Sequence, residues 1–208
     1  MNTQATTTAH PTTASATTLA PDDPRLTFAK AVATAGPVID AVRLDQMTLP
    51  TPCAEFDVRA LLGHLEFVLR RIAAIGRDED PFSVTERHDV ADTGWHAAWL
   101  DAAHEVQTAW TDPAILDQPR TLPWMVMPGR AALAVYTSEV VIHTWDLARA
   151  TDQHPVWDDD VVALAYATMQ LALPSAERPA DVPFDDAVSI PAEASAIDRL
   201  VSWTGRRP

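Results

Sequence analysis

The chain has 208 residues, enough for one domain with its own core, and 29 Asp and Glu against 15 Lys and Arg leave a formal charge of −14. That charge repels phosphate backbones and anionic lipid, so no nucleic-acid or membrane partner is expected. One cysteine, Cys53, excludes an internal disulfide, and no apolar run approaches the roughly 18 to 20 residues of a membrane span.

Residues 1 to 22 are rich in Thr and Ala, lack a basic start and an apolar stretch, and are expected to be a flexible tail of a cytoplasmic protein. From Arg25 to about Arg43, Phe28, Val32, Ala35, Ile39 and Val42 recur every three or four residues, which predicts a helix. Pro37 is expected to kink it or split it in two. After a Pro-containing loop, Asp57 is a candidate N-cap for a helix over Val58 to Ile75, with Leu61, Leu65, Val68 and Ile72 on one face. Gly76 is expected to end it in a left-handed conformation. A third helix is predicted over Thr93 to Trp110, then an irregular crossover through Pro113, Pro119 and Pro123. Pro128 opens a fourth helix reaching about Ala150, and a fifth spans Asp158 to Leu173. The remainder is Pro-rich, with a short extended piece expected at Ala187 to Ile190 and a last short helix capped by Ser195 and ending at Gly205. The pattern is an all-α bundle over residues 23–173 with a short C-terminal extension, 174–208, packed on it.

The fourth helix carries the first chemical signal. Glu139 and His143 are four residues apart, so their side chains lie one turn apart on one face, about 6 Å between Cβ atoms. Their neighbours Val140, Val141, Ile142 and Leu147 are apolar, so both groups are partly buried and need partners. They could grip one divalent metal; the plainer alternative is an ion pair on a helix edge. His64 stands in the apolar stripe of the second helix, where a lone histidine is commonly a core residue with one hydrogen bond. Two antiparallel bundle helices can nevertheless face His64 toward Glu139 and His143. That would make a His₂Glu set with positions left for water or substrate, the composition of a catalytic metal site. Asp146, three residues past His143, is a candidate to orient a ligand histidine, or to pair with Arg149 or Arg130.

The remaining histidines are weaker. His88, His96 and His104 fall in or beside the charged loop and third helix, and His10 and His154 in tail and loop. Cys53 has no adjacent histidine and reads as structural. Trp124 and Trp145 flank the presumed site in sequence and are candidates to wall a pocket.

Four segments together resemble one family: TPCAEFDVRALLGHL over residues 51–65, LPW over 122–124, YTSEVVIHTWDLARA over 136–150, and DRLVSWTGRRP over 198–208. They are similar to the mycothiol-dependent maleylpyruvate isomerase-type metal-binding family of the DinB/YfiT-like superfamily, over about residues 25 to 208. The resemblance implies a DinB-like four-helix bundle with a divalent metal, usually zinc, held by His64, Glu139 and His143. It also implies mycothiol as a thiol cofactor whose sulfur can bind the metal, and a small-molecule substrate. In the isomerases of the family the thiolate adds to a conjugated cis double bond, the adduct rotates, and elimination gives the trans isomer. Other relatives transfer or conjugate the thiol. Those isomerases carry a larger C-terminal domain that helps bind substrate, whereas about 35 residues follow the fifth helix here. The reading is therefore a metal- and thiol-dependent isomerase or S-transferase acting on a small electrophile. A hydrolase using metal-bound water, with Asp146 or a loop carboxylate as base, and a non-catalytic metal-binding bundle stand as alternatives. Bundles of this kind often pair through apolar helices, so a homodimer is also an expectation.

Overall fold

The structure, a computed structural model, describes residues 19, 20, 22–179 and 182–208. Most of the expected tail, with His10, lies outside the described residues. Six helices follow one another: α1 Pro24–Asp40, α2 Val58–Gly76, α3 Trp95–Ala109, α4 Gly129–Ala150, α5 Asp159–Ala172 and α6 Ala196–Trp203. The first four form the bundle, in the ring order α1, α3, α2, α4. Residue contacts fix their directions. The Arg25 guanidinium at the start of α1 donates to the carbonyl of Thr111, just past α3, at 2.8 Å, so those two helices are antiparallel. Gly63 lies beside Trp95, and Gly76 beside Trp110, so α2 and α3 run the same way. His64 meets Glu139, which sets α2 against α4. The result is an all-α, DinB-like bundle of up-down-down-up topology; α5 folds back along α4, and α6 packs on α5.

Local chemistry accounts for the ends. Asp57 caps α2, its carboxylate accepting from the Ala60 N–H at 2.8 Å. Asp158 caps α5 from just outside it, and Ser195 caps α6. Pro37 does not break α1: it sits in the last turn, where only one backbone bond is lost, and the end of the helix is held by Gln153, whose Nε2 donates to the Val38 carbonyl at 3.0 Å. Gly76 remains helical, and the left-handed residue is Asp78, at φ 60°. What Gly76 supplies is space, because a Cβ there would lie 2.6 Å from Nε1 of the Trp110 indole.

The crossover is more ordered than its prolines suggested. β1, Pro119–Thr121, pairs antiparallel with β2, Val126–Pro128, in the register Pro119 to Pro128. The Leu122 N–H donates to the Met125 carbonyl at 2.8 Å and closes the turn. A proline at the open end of each short strand removes donors from a ladder that nothing continues. The piece expected to be extended at 187–190 forms no strand, although the Val188 N–H donates to the Ser202 carbonyl at 2.9 Å.

α4 is the central element, packed against α1, α2 and α5. Leu133, Val140, Ile142 and Leu147 are all at 1% exposure or less. A helix buried on nearly every side cannot send its polar residues to water. Thr137, Thr144 and Thr151 each donate to the carbonyl four residues back, at 2.6 to 2.7 Å. Glu139, His143 and Asp146 must find partners across the bundle.

Candidate metal centre

α2 and α4 bring His64, Glu139 and His143 together. His64 Nε2 lies 3.1 Å from Glu139 Oε1, and His143 Nε2 lies 3.4 Å from the same oxygen. The three donor atoms are all within 4.8 Å of one another. A tetrahedral zinc with bonds near 2.0 to 2.1 Å needs its donors about 3.3 Å apart, and the two separations to Glu139 Oε1 are close to that value. Glu139 is 28% exposed and His64 17%, while His143 is 6% exposed. The cluster therefore opens toward solvent on the side of Glu139 and His64.

The loop before α2 shapes one wall. The Thr51 hydroxyl lies 2.9 Å from the Cys53 carbonyl and 2.8 Å from that of Phe56, and can donate to either. This turn sets the Phe56 ring in a stack on His64, with centroids 4.8 Å apart and planes 28° apart. It also brings the Cys53 thiol within 4.8 Å of the ligating atoms of His143 and Asp146. Burial pushes that thiol's pKa up, so Cys53 stays protonated and neutral beside the cluster.

Behind the cluster, His143 Nδ1 lies 3.1 Å from Asp146 Oδ2. Asp146 is fully buried and held by Arg206, whose Nη2 donates to Oδ2 at 2.8 Å and whose Nε donates to Oδ1 at 3.2 Å. Of the two alternatives for Asp146, the contact with His143 is present, and the arginine that pairs with it is Arg206, not Arg149 or Arg130. Arg149 lies over the Trp145 ring, and Arg130 pairs with Asp117. Arg206 reaches inward because Gly205, at φ 87°, turns the chain just after α6. Asp146 is fully buried, with Oδ2 shared between Arg206 and His143 and Oδ1 bound to Arg206, so no solvent water reaches it and it is not placed to act as the general base of a hydrolase.

The electrostatics follow from this chain of contacts. Desolvation would raise the Glu139 carboxyl, but hydrogen bonds from His143 and His64 outweigh it and hold it well below the carboxylate range. Desolvation would lower His143, but Asp146 and Glu139 outweigh it and push its pKa up to about 9. Asp146 is lowered by His143 and Arg206 against its own burial. Without a metal the row is an alternating buried charge network. With one, Nε2 of His143 would give up its proton and Nδ1–H would stay on Asp146, the usual outer partner of a ligating histidine.

Other sequence candidates fall elsewhere. Trp145 is buried and lines a surface cavity of about 210 Å³ with Trp157, Pro155 and Pro208, so it does not wall the cluster. Trp124, in contrast, stacks on Tyr136, one turn from Glu139. His96 pairs with Asp40 at 2.9 Å, tying α3 to α1, and His154 is 83% exposed. Arg206 and Phe56 were the residues that sequence reasoning did not place here. Both lie within the motif segments, but only tertiary contact shows where they point.

A four-helix bundle with a His–Glu–His donor set between its second and fourth helices defines the class of protein. The chain belongs to the family described as mycothiol maleylpyruvate isomerase N-terminal domain, whose family model matches residues 28–148. It is also 29% identical to uncharacterized proteins of two Mycobacterium tuberculosis strains, CDC 1551 / Oshkosh and H37Rv, over 88% of this chain and 98% of each relative. No solved structure matches the chain significantly. Among the described residues no helix is long and apolar enough to cross a membrane.

Proposed function

We propose that the protein is a divalent-metal enzyme, with zinc as the first candidate, that uses mycothiol to isomerise or S-conjugate a small electrophile. The observation that carries this is the three-donor cluster, which opens to solvent through Glu139 and His64 and is backed by Asp146 and Arg206. Three protein donors leave room for an exogenous ligand, the pattern of catalytic and not of closed structural sites. Membership of a mycothiol-linked family supports a thiol as that ligand.

In this reading His64, Glu139 and His143 hold the metal, which when bound supplies a Lewis acid able to lower the pKa of a thiol at neutral pH. Asp146 fixes the tautomer of His143 by accepting from Nδ1–H, and Arg206 keeps Asp146 ionised. Phe56 covers His64 and excludes water from one side of the cluster. The neutral Cys53 thiol sits on the Asp146 side of His143 and takes no nucleophilic part.

The test is elemental analysis of the purified protein beside His64→Ala and Glu139→Ala, followed by titration with mycothiol. About one metal per chain, lost in both variants while the helical signal persists, with metal-dependent thiol binding, is the expected result. Full metal content in either variant would remove the site assignment. Metal without thiol binding would remove the mycothiol step.

A further inference from the structure

The stripe of α2 that carries His64 continues one and two turns on, through Phe67 and Arg71. The facing stripe of α4 runs the other way, from His143 through Glu139 to Tyr136. Because the two helices are antiparallel, the end of one stripe meets the end of the other. Seven residues of helix separate Arg71 from His64, a rise of on the order of 10 Å. A second polar group thus stands along the same seam between α2 and α4, away from the three clustered side chains.

Its members lack partners. The Arg71 Nε and the Tyr136 hydroxyl are both buried without a hydrogen bond. Among the described residues Arg71 has no carboxylate or carbonyl partner; its guanidinium lies flat on the Phe67 ring, 4.0 Å from the centroid. The other inward arginines are paired: Arg206 with Asp146, Arg120 with Asp78 and Gln118. Buried polar groups in native proteins are normally satisfied, so these two neighbouring donors call for an acceptor that the chain itself does not supply. Trp124, 58% exposed, stacks on Tyr136 with centroids 6.3 Å apart, so an exposed aromatic lies against the phenol ring.

We infer that Arg71 and Tyr136 form an oxyanion subsite that binds a carboxylate of the substrate electrophile, with Trp124 as its cover. This rests on the proposed reading that the substrate reacts at the His64–Glu139–His143 end of the seam between α2 and α4. Both groups are hydrogen-bond donors, and the guanidinium carries the charge, so the complementary ligand is an anion with acceptor oxygens. One carboxylate oxygen takes an N–H of Arg71 and the other takes the phenol O–H. Burial pushes the Tyr136 phenol up against the opposing charge of Arg71, so it stays a donor across the neutral range. The spacing along the helices selects an electrophile whose anionic group is carried on a short chain away from the reacting carbon.

The test uses acetate, propionate and butyrate, with the matching primary amides as neutral controls. They are titrated into metal-loaded and metal-stripped full-length protein at constant ionic strength. Binding is read from tryptophan fluorescence and from the shift in thermal midpoint. The expected result is that carboxylates bind about tenfold more tightly than amides. Arg71→Met abolishes that preference, and Tyr136→Phe weakens it by roughly threefold, while metal content is unchanged in both. Arg71→Lys, which keeps the charge but not the fork, restores part of the preference and serves if the methionine variant fails to fold. Equal binding of carboxylates and amides by the wild type, or an unchanged preference in Arg71→Met or Arg71→Lys, overturns the inference. If the wild type holds metal yet shows no preference, the subsite fails and the metal reading stands. If it holds no metal but prefers carboxylates through Arg71, the metal reading fails and the subsite stands.

Discussion

Asp146 shows how much one buried carboxylate can organise. It accepts from His143 on one side and from Arg206 on the other, and no part of it reaches solvent. Removing either partner leaves an uncompensated buried charge. Arg206→Met is therefore expected to destabilise the protein by about 3 to 5 kcal/mol, measured by urea unfolding. Asp146→Asn keeps the shape but removes the charge that holds Nδ1–H of His143. It is expected to weaken metal binding by roughly 10- to 100-fold, measured by competition against a chelator. Unchanged affinity in that variant would mean that Asp146 only anchors the C-terminal segment.

At the scale of elements, the two parallel helices α2 and α3 meet at glycines that differ in tolerance. A Cβ on Gly76 would lie 2.6 Å from Nε1 of Trp110, the atom that donates to the Ile72 carbonyl at 2.9 Å. Gly76→Ala must displace the indole and break that bond, and is expected to cost about 1 to 3 kcal/mol. A Cβ on Gly63 would lie 3.3 Å from the Trp95 ring, a contact that a shift of a few tenths of an ångström relieves. There the gain in helix propensity, about 1 kcal/mol, offsets the contact, so Gly63→Ala is expected to stay close to wild type. Equal effects of the two substitutions in chemical denaturation would contradict this account of the packing.

For the whole molecule, the shifted groups set how stability depends on pH. His143 titrates higher folded than unfolded, so its contribution is complete below about pH 6.5 and is lost as pH rises through about 9. Glu139 and Asp146 titrate lower, so theirs is present above the ordinary carboxylate range and is lost as pH falls through it. The metal-free protein should therefore be most stable between about pH 5 and 6.5 and weaken toward pH 9. Zinc should reverse the alkaline limb, because binding releases the His143 proton and tightens as pH rises. Urea midpoints from pH 5 to 9, with chelator and with zinc, check both. A metal-free protein that gains stability from pH 6.5 to 9 would show that His143 is not held as the charged form.

Helix content and the shared face of Glu139 and His143 were legible in the chain itself because both depend on local spacing. The apolar repeat of Leu61, Leu65, Val68 and Ile72 marked α2, and the i, i+4 step of Glu139 and His143 placed two donors on one face of α4. The caps at Asp57 and Ser195 were readable for the same reason, since a cap bonds within three residues of itself. Errors arose where the neighbour lies far along the chain. Gly76 looked like a helix terminator, but its role depends on Trp110 on another helix; Trp145 looked like a pocket wall, but it faces the C-terminus. The hairpin at 119–128 was hidden because its strands are three residues long and bounded by prolines. Arg206 on Asp146, Phe56 on His64, and Arg71 without a partner all depend on how antiparallel and parallel helices line up side by side. Periodicity determines which face of a helix is apolar. Only the packed bundle determines which charged groups that face must share, because burial leaves them no water to turn to.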